Sequence, residues 1–234
     1  GNRNGKVYLL CTDGVAEFDL ATQRFKTLLQ GNVDAIYFNE KLYIGKREEV
    51  FVYNESTGNF DLFYHLAGKN ITLSCLHLDK NKNLWMGTTS NGIYCLSEDK
   101  NLSRPVTKGN ITSIYEDSSN ELWIGSWEEG LYRVKTDGNI ENLRHNPMNT
   151  NSLCSNFVRS CCEDNSGDLW IGTFNGLNRY DRETGKFHLY TANGNSPDGL
   201  THSSIWCIVK DGQGTIWLGT YFGGVNYFNP EYEI

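Results

Sequence analysis

Leu169-Trp170-Ile171-Gly172-Thr173 is one of four near-identical pentads in this chain. The others are Leu84-Trp85-Met86-Gly87-Thr88, Leu122-Trp123-Ile124-Gly125-Ser126 and Ile216-Trp217-Leu218-Gly219-Thr220, with Leu42-Tyr43-Ile44-Gly45 as a degenerate fifth. Successive glycines stand 42, 38, 47 and 47 residues apart. A weaker sixth copy, Val7-Tyr8-Leu9-Leu10-Cys11, lacks both Trp and Gly. A period of this size means one supersecondary unit copied along the chain, so the fold follows from what a single unit is.

The grammar around each pentad is constant. An Asp eight residues before the glycine (Asp79, Asp117, Asp164, Asp211) ends a β-prone run such as Ile111-Thr112-Ser113-Ile114-Tyr115. A polar turn such as Asp164-Asn165-Ser166-Gly167-Asp168 leads into the Trp run, as hairpin chemistry requires. A glycine then opens a third run (Gly92-Ile93-Tyr94-Cys95, Gly130-Leu131-Tyr132-Arg133, Gly176-Leu177-Asn178), and an aromatic opens a fourth (Phe60 to Phe63, Phe187 to Tyr190). We call the four runs A to D. Helical repeats would need apolar residues at i, i+3, i+4 and i+7 with few internal Gly or Asn, and the runs here are short, β-branched and aromatic. Four short strands per roughly 40 residues predict an all-β protein, a β-propeller of four-stranded antiparallel blades.

The expectation is a single propeller region over residues 1–234 with five to six blades. The units lie near 7–30, 32–66, 71–107, 111–145, 156–191 and 203–230. The first should supply strands B to D, the last A to C and the other four a full set, which makes 22 strands. Both ends then offer B and C, so a clean ring closure is not expected, and the chain reads as a fragment of a larger propeller. Lys plus Arg is 21 against 28 Asp plus Glu, a net charge of −7 that lacks the basic footprint of a nucleic-acid binder. No apolar run approaches ~18 residues and no basic-then-apolar leader opens the chain, so neither a membrane span nor a signal peptide is expected in this stretch.

Residues Asp164 to Phe187 read Asp-x-x-Gly-x-Leu-Trp-Ile-Gly-Thr-x-x-Gly-Leu-x-x-Tyr-Asp-x-x-Thr-Gly-x-Phe, which is similar to the two-component regulator propeller repeat. Asn146 to Leu153 resembles the Asn/Pro-rich linkers between blades of that family. The resemblance covers roughly residues 7–230. It departs from the pattern at Val7 to Thr12 and at Glu49, which stands where other units have glycine. It implies the periplasmic sensor region of a hybrid two-component histidine kinase from polysaccharide-foraging gut bacteria. About seven blades per propeller are implied, often with a second propeller, then an immunoglobulin-like module, a membrane helix, and kinase and regulator parts. The segment itself would be non-catalytic and without a cofactor. Its partners would be an oligosaccharide ligand, the neighbouring propeller and immunoglobulin-like module, and a second receptor copy in a homodimer.

Loop composition points to one working face. The A–B and C–D turns are short, whereas the B–C tips carry Arg47, Trp127-Glu128-Glu129, Phe174-Asn175 and Tyr221-Phe222, beside the long D–A loops His145 to Ser155 and Asn193 to His202. Recognition residues concentrate on such loops. Trp127, Phe174 and Tyr221 share the position two residues after the pentad glycine, where aromatic faces can stack on sugars and the carboxylates of Glu128 and Glu129 can accept hydroxyl hydrogen bonds. The competing reading packs these aromatics between adjacent blades.

Other residue patterns are read as structural. The pentad tryptophans bury large indoles and need a partner for their N–H. The Asp-rich A–B turns look like the start of a calcium loop, but no closing Glu stands at the twelfth position, and Asx turns account for them. Cys75 and Cys207 fall at the repeat position of Ser113 and Ser160, which predicts a small buried side chain rather than a disulfide. His65, His77, His145, His188 and His202 share no repeat position, so metal or triad chemistry has no support. The alternative function is a carbohydrate-active propeller enzyme, a polysaccharide lyase or glycosidase, with Asp198 or Glu48 facing Glu128 and Glu129 as the second carboxylate.

Overall fold

The computed structural model describes residues 2–3, 5–67, 71–103, 105–192 and 199–232. The chain forms two compact units, 1–110 and 111–234, and each holds three antiparallel sheets.

In the first unit, sheet one pairs β1 (Asn2–Arg3), β2 (Lys6–Cys11), β3 (Gly14–Asp19) and β4 (Arg24–Gln30) in sequence order. Sheet two is β5 (Ala35–Phe38), β6 (Leu42–Lys46), β7 (Glu49–Asn54) and β8 (Asn59–His65). Sheet three is β9 (Leu73–Leu78), β10 (Leu84–Thr88) and β11 (Ile93–Leu96). In the second unit, sheet four is β12 (Ile111–Glu116), β13 (Leu122–Ser126), β14 (Leu131–Val134) and β15 (Ile140–Leu143). Sheet five is β16 (Val158–Glu163), β17 (Leu169–Thr173), β18 (Gly176–Asp181) and β19 (Lys186–Tyr190). Sheet six is β20 (Ile205–Lys210), β21 (Ile216–Thr220) and β22 (Val225–Phe228), followed by a single 3-10 turn, Pro230–Tyr232.

The described residues thus hold 22 strands in six sheets, the expected number, but distributed differently. The first sheet has a short strand A, β1, that the sequence reading did not assign. The third sheet lacks the expected strand D: Leu102 makes only an isolated bridge to Leu96. Pro105 interrupts the run there, since it has no N–H to donate, and the Ser103 hydroxyl accepts the Cys95 N–H in place of a ladder carbonyl.

Each pentad is the second strand of its sheet, and in sheets two, four and five its aromatic packs onto the sheet that follows. Tyr43 clusters with Leu73, Leu76 and Leu84, Trp123 with Val158, Cys161 and Ile171, and Trp170 with Ile205, Ile208 and Leu218. Trp123 and Trp170 are wholly buried. Trp217 is not: within the second unit no sheet follows sheet six, and this indole stays 41% exposed, set against Tyr227. Cys207 likewise departs from its expected burial and is exposed on the same open sheet, while Cys75 is half-buried.

The conserved spacing of Asp and Trp has a direct cause. Trp85, Trp123, Trp170 and Trp217 each donate the indole N–H to the carboxylate six residues earlier, at 2.8, 2.6, 2.8 and 2.9 Å. The other carboxylate oxygen closes the A–B turn by accepting backbone N–H groups, as Asp117 does from Ser119 and Glu121, and Asp164 from Ser166 and Asp168. One side chain therefore satisfies both a buried donor and a tight turn, a role in which a charge-assisted bond contributes about 1.5–3 kcal/mol.

The pentad glycine is required by close approach. A Cβ on Gly172 would lie 2.7 Å from Ile205 of the next sheet, and one on Gly125 would meet Ser113 at 2.5 Å and Val158 at 3.0 Å. Stacking the sheets this closely is what brings the loops at their ends within reach of one another.

Candidate functional site

The residue after the pentad glycine fixes the B–C loop. Ser126, Thr173 and Thr220 donate their hydroxyls to the carbonyls of Gly130, Gly176 and Gly224 at 2.7, 2.9 and 3.0 Å. The same hydroxyls accept the N–H of Glu129, Asn175 and Gly223. The Phe174 and Tyr221 N–H groups bond the carbonyls of Phe157 and Ser204 on the first strand side of their own sheets. Three loops of the second unit are thus pinned in one conformation, and each presents its aromatic from the same place.

Those aromatics join through residues that the loop reading did not single out. Trp127 stands edge-on to Phe157 at 5.6 Å between ring centres, and Phe157 lies 6.1 Å from Phe174. Tyr221 stacks on Trp206 at 5.6 Å and meets Phe222 edge-on at 4.3 Å. Between the two groups is Arg159, whose guanidinium carbon is 4.5 Å from the Trp127 ring centre and 3.9 Å from that of Trp206. Phe174, Trp206 and Tyr221 are about half exposed and Phe222 is 82% exposed. The result is a continuous aromatic surface with one cation in it.

Arg159 and Trp206 arrive there by a backbone device. In sheets five and six the pairing of the first and second strands shifts register between Val158 and Ser160 and between Ile205 and Cys207. The residue left over, Arg159 or Trp206, sits on a β-bulge, which re-aims its side chain. Thr112 and Ser74 occupy the same bulge in sheets four and three, where Thr112 donates its hydroxyl to the Val158 carbonyl at 2.6 Å. The sequence signal is a large residue directly before the small one of strand A, as in Val158-Arg159-Ser160 and Ile205-Trp206-Cys207.

The remaining expected site residues fall out as follows. Glu128 is exposed, and its carbonyl accepts from Arg144 at 3.3 Å. Glu129 is engaged: its carboxylate pairs with Arg144 from the following D–A loop, so it serves to hold that loop. Asn175 is exposed beside Phe174. Arg47 belongs to the first unit, where it takes a left-handed conformation (φ 52°) and its N–H bonds the Asp34 carboxylate, supplying the turn that glycine supplies elsewhere. Asp198, with the rest of 193–198, lies outside the described residues.

The opposite end of the second unit carries a different cluster. Arg182 reaches Asp117, Glu121 at 3.3 Å and Glu163 at 3.1 Å, and Glu163 also accepts the N–H and hydroxyl of Ser118 at 2.8 Å each. These carboxylates are nearly all out of solvent and fully engaged. Among the described residues, no three His, Cys, Asp or Glu side chains converge as a metal site. Hollows of about 850 and 510 Å³ in the first unit lie at the A–B and C–D turns, beside Asn39 and Glu40, not at the B–C tips. The aromatic surface is open rather than enclosed.

Residues 65–90, 105–128, 152–175 and 199–222 match the two component regulator propeller repeat. No curated protein sequence matches the chain. Among solved structures, it is similar to the extracellular domain of the hybrid two-component system BT3049 of B. thetaiotaomicron, at 23% identity and TM-score 0.54, over 98% of this chain and 37% of that one. It is similar to the corresponding BT4673 domain from the same organism at 18% identity and TM-score 0.56, over 97% and 39%. Virginiamycin B lyase from Staphylococcus aureus superposes at 13% identity and TM-score 0.71, over 99% and 83%. These likenesses establish a β-propeller fold, and the chain spans under two fifths of the length of the two extracellular domains.

Proposed function

We propose that this chain, four stretches of which match the two component regulator propeller repeat, is the non-catalytic sensor propeller of a hybrid two-component histidine kinase, placed in the periplasm and reading an oligosaccharide released from a polysaccharide. The observation that carries this reading is the aromatic surface of the second unit, where Trp127, Phe174 and Tyr221 come from three in-phase loops and are joined by Trp206 and Phe222. Sugar rings present C–H faces that stack on such surfaces. The likeness to extracellular domains of hybrid two-component systems supports the location and the signalling role. No helix of the described residues is long and apolar enough to cross a membrane.

Signal transfer requires that the ligand favour one of two arrangements of the receptor, because only differential affinity shifts an equilibrium. The arrangements would involve the neighbouring propeller, the immunoglobulin-like module and the homodimer partner. The glycosidase alternative needs two free carboxylates across a cleft, and Glu129 is already held by Arg144; a lyase would need a base such as Tyr or His at the mouth.

The test is titration calorimetry with a panel of neutral and acidic plant and host oligosaccharides, with the same mixtures assayed for product. Binding without turnover is expected, weakened about threefold to tenfold by Tyr221→Ala, the loss of one stacking ring. Heat from no member of the panel sinks the sensor reading, and product formation replaces it with the enzymatic one.

A further inference from the structure

Every arginine of the second unit except one is paired with a carboxylate. Arg133 meets Glu121 at 2.6 Å, Arg144 meets Glu129, Arg179 meets Asp168 at 3.6 Å, and Arg182 meets Asp117, Glu121 and Glu163. Arg159 has no carboxylate partner among the described residues, and its Nε is buried without a hydrogen bond. In a chain of net charge −7, carboxylates are the commoner charge, and none of the described ones reaches this arginine.

What surrounds it instead is aromatic. Trp127 and Trp206 attract the cation through their ring quadrupoles but offer no oxygen or nitrogen acceptor, because an indole N–H only donates. The guanidinium is therefore held in place with its N–H fork unspent. Burial lowers its proton affinity from the usual arginine value, which is the mark of a cation short of solvent and counter-charge. A fork fixed by packing is preorganised for a planar or tetrahedral oxyanion, which it can bind through two parallel hydrogen bonds. The exposed ring of Tyr221, stacked on the same Trp206, lies alongside for a sugar ring.

We infer that the ligand of this surface is an anionic saccharide, with its carboxylate or sulfate received by Arg159 between Trp127 and Trp206 and a sugar ring laid on the Trp206–Tyr221 stack. This rests on the saccharide-binding reading above and specifies its chemical class. The bulge at Arg159 is what makes the site: a residue in register at that position would lie in the ladder facing the neighbouring sheet.

The experiment compares ligands that differ only in charge. Trigalacturonate and its methyl ester test a carboxylate, a sulfated galactose disaccharide and its desulfated form test a sulfate, and sodium sulfate tests the bare ion. Each is titrated into the chain and into Arg159→Gln and Arg159→Lys, with tryptophan fluorescence as a second readout and circular dichroism to confirm that the variants fold. One acidic sugar should bind more tightly than its uncharged form. Arg159→Gln should erase that preference, a loss of about tenfold to a hundredfold for a charge-assisted pair, so that the acidic and uncharged forms bind the variant alike. Arg159→Lys should recover only part of it, because the ammonium lacks the fork. Equal binding of charged and uncharged forms, unaffected by Arg159→Gln, overturns the anionic assignment and leaves the saccharide reading standing. Binding of no sugar in either form, with or without a response to sodium sulfate, overturns both.

Discussion

Arg182 and Arg159 lie in the same unit and on the same sheet region, one after the end of β18 and one on β16, yet their surroundings are opposite. Arg182 is ringed by Asp117, Glu121 and Glu163 and ties the A–B turns of sheets four and five together. Arg159 touches two indoles and no carboxylate among the described residues. The same side chain is a lock where the protein supplies the anions and a receptor where it withholds them. The difference teaches that the end of the unit with the Asx turns is closed electrostatically, whereas at the end with the long loops Arg159 meets no carboxylate among the described residues.

The largest effect should come from Arg182→Met. The Asp117 side chain is fully buried and that of Glu163 nearly so, and removing their shared cation leaves uncompensated charge inside the protein. Breaking such a cluster costs about 3–5 kcal/mol, to be read as a lower midpoint in urea unfolding monitored by tryptophan fluorescence. If that loss is genuine charge burial, adding Glu163→Gln, whose amide can still accept the Ser118 N–H and donate to its hydroxyl, should restore part of the stability, and a double variant no better than the single one breaks the lock description.

Arg159→Gln should change stability by no more than about 1 kcal/mol, because the lost cation–ring attraction is offset by relief of a partly desolvated charge. An unfolding midpoint that falls as far as that of Arg182→Met would show Arg159 to be a structural arginine like the other.

The smallest effect is a thiol-labelling contrast between the two environments. Burial pushes the Cys161 thiol well above the usual range and Cys162 up to about 12, so at neutral pH neither forms reactive thiolate in the folded protein. Cys207, next to Trp206, is exposed. Labelling with a thiol reagent at pH 7, read by mass spectrometry, should mark Cys207, along with the exposed Cys11, and leave Cys161 and Cys162 unmodified. In Arg182→Met, slow labelling of Cys161 should appear as that end opens locally. Equal labelling of all three in the unaltered chain contradicts the buried placement of Cys161 and Cys162.

The repeat was legible because its residues act locally. Asp117 and Trp123 are six apart and bond each other, and Ser126 bonds Gly130 across one loop, so a single unit contains its own explanation. Trp127, Phe174 and Tyr221 were visible in the sequence for the same reason, as equivalent positions on equivalent loops. Arg159 and Trp206 were not, because on the sequence they read as ordinary members of strand A. Their exposure depends on where the ladder slips by one residue, and slippage is set by how the strand meets its neighbour. Glu129 was read as a free acceptor, and its pairing with Arg144 depends on a loop that returns fifteen residues later. The strand D expected after Cys95 failed for a reason the sequence did contain, the proline at 105, but the helpful Ser103 hydroxyl that takes its place could be seen only in the fold.

The sequence alone determined that this protein is a series of antiparallel units of short strands, four of them with an indole on the second strand, and that several loop tips are aromatic, since each of those features is produced by contacts between residues a few positions apart. The tertiary structure decided which side chains are used up and which remain available, because that is settled by contacts within and between sheets across intervals of about 20 to 65 residues. Arg182 finds its acids that way, Arg159 meets none among the described residues, and no reading of either arginine's neighbours in the chain separates the two.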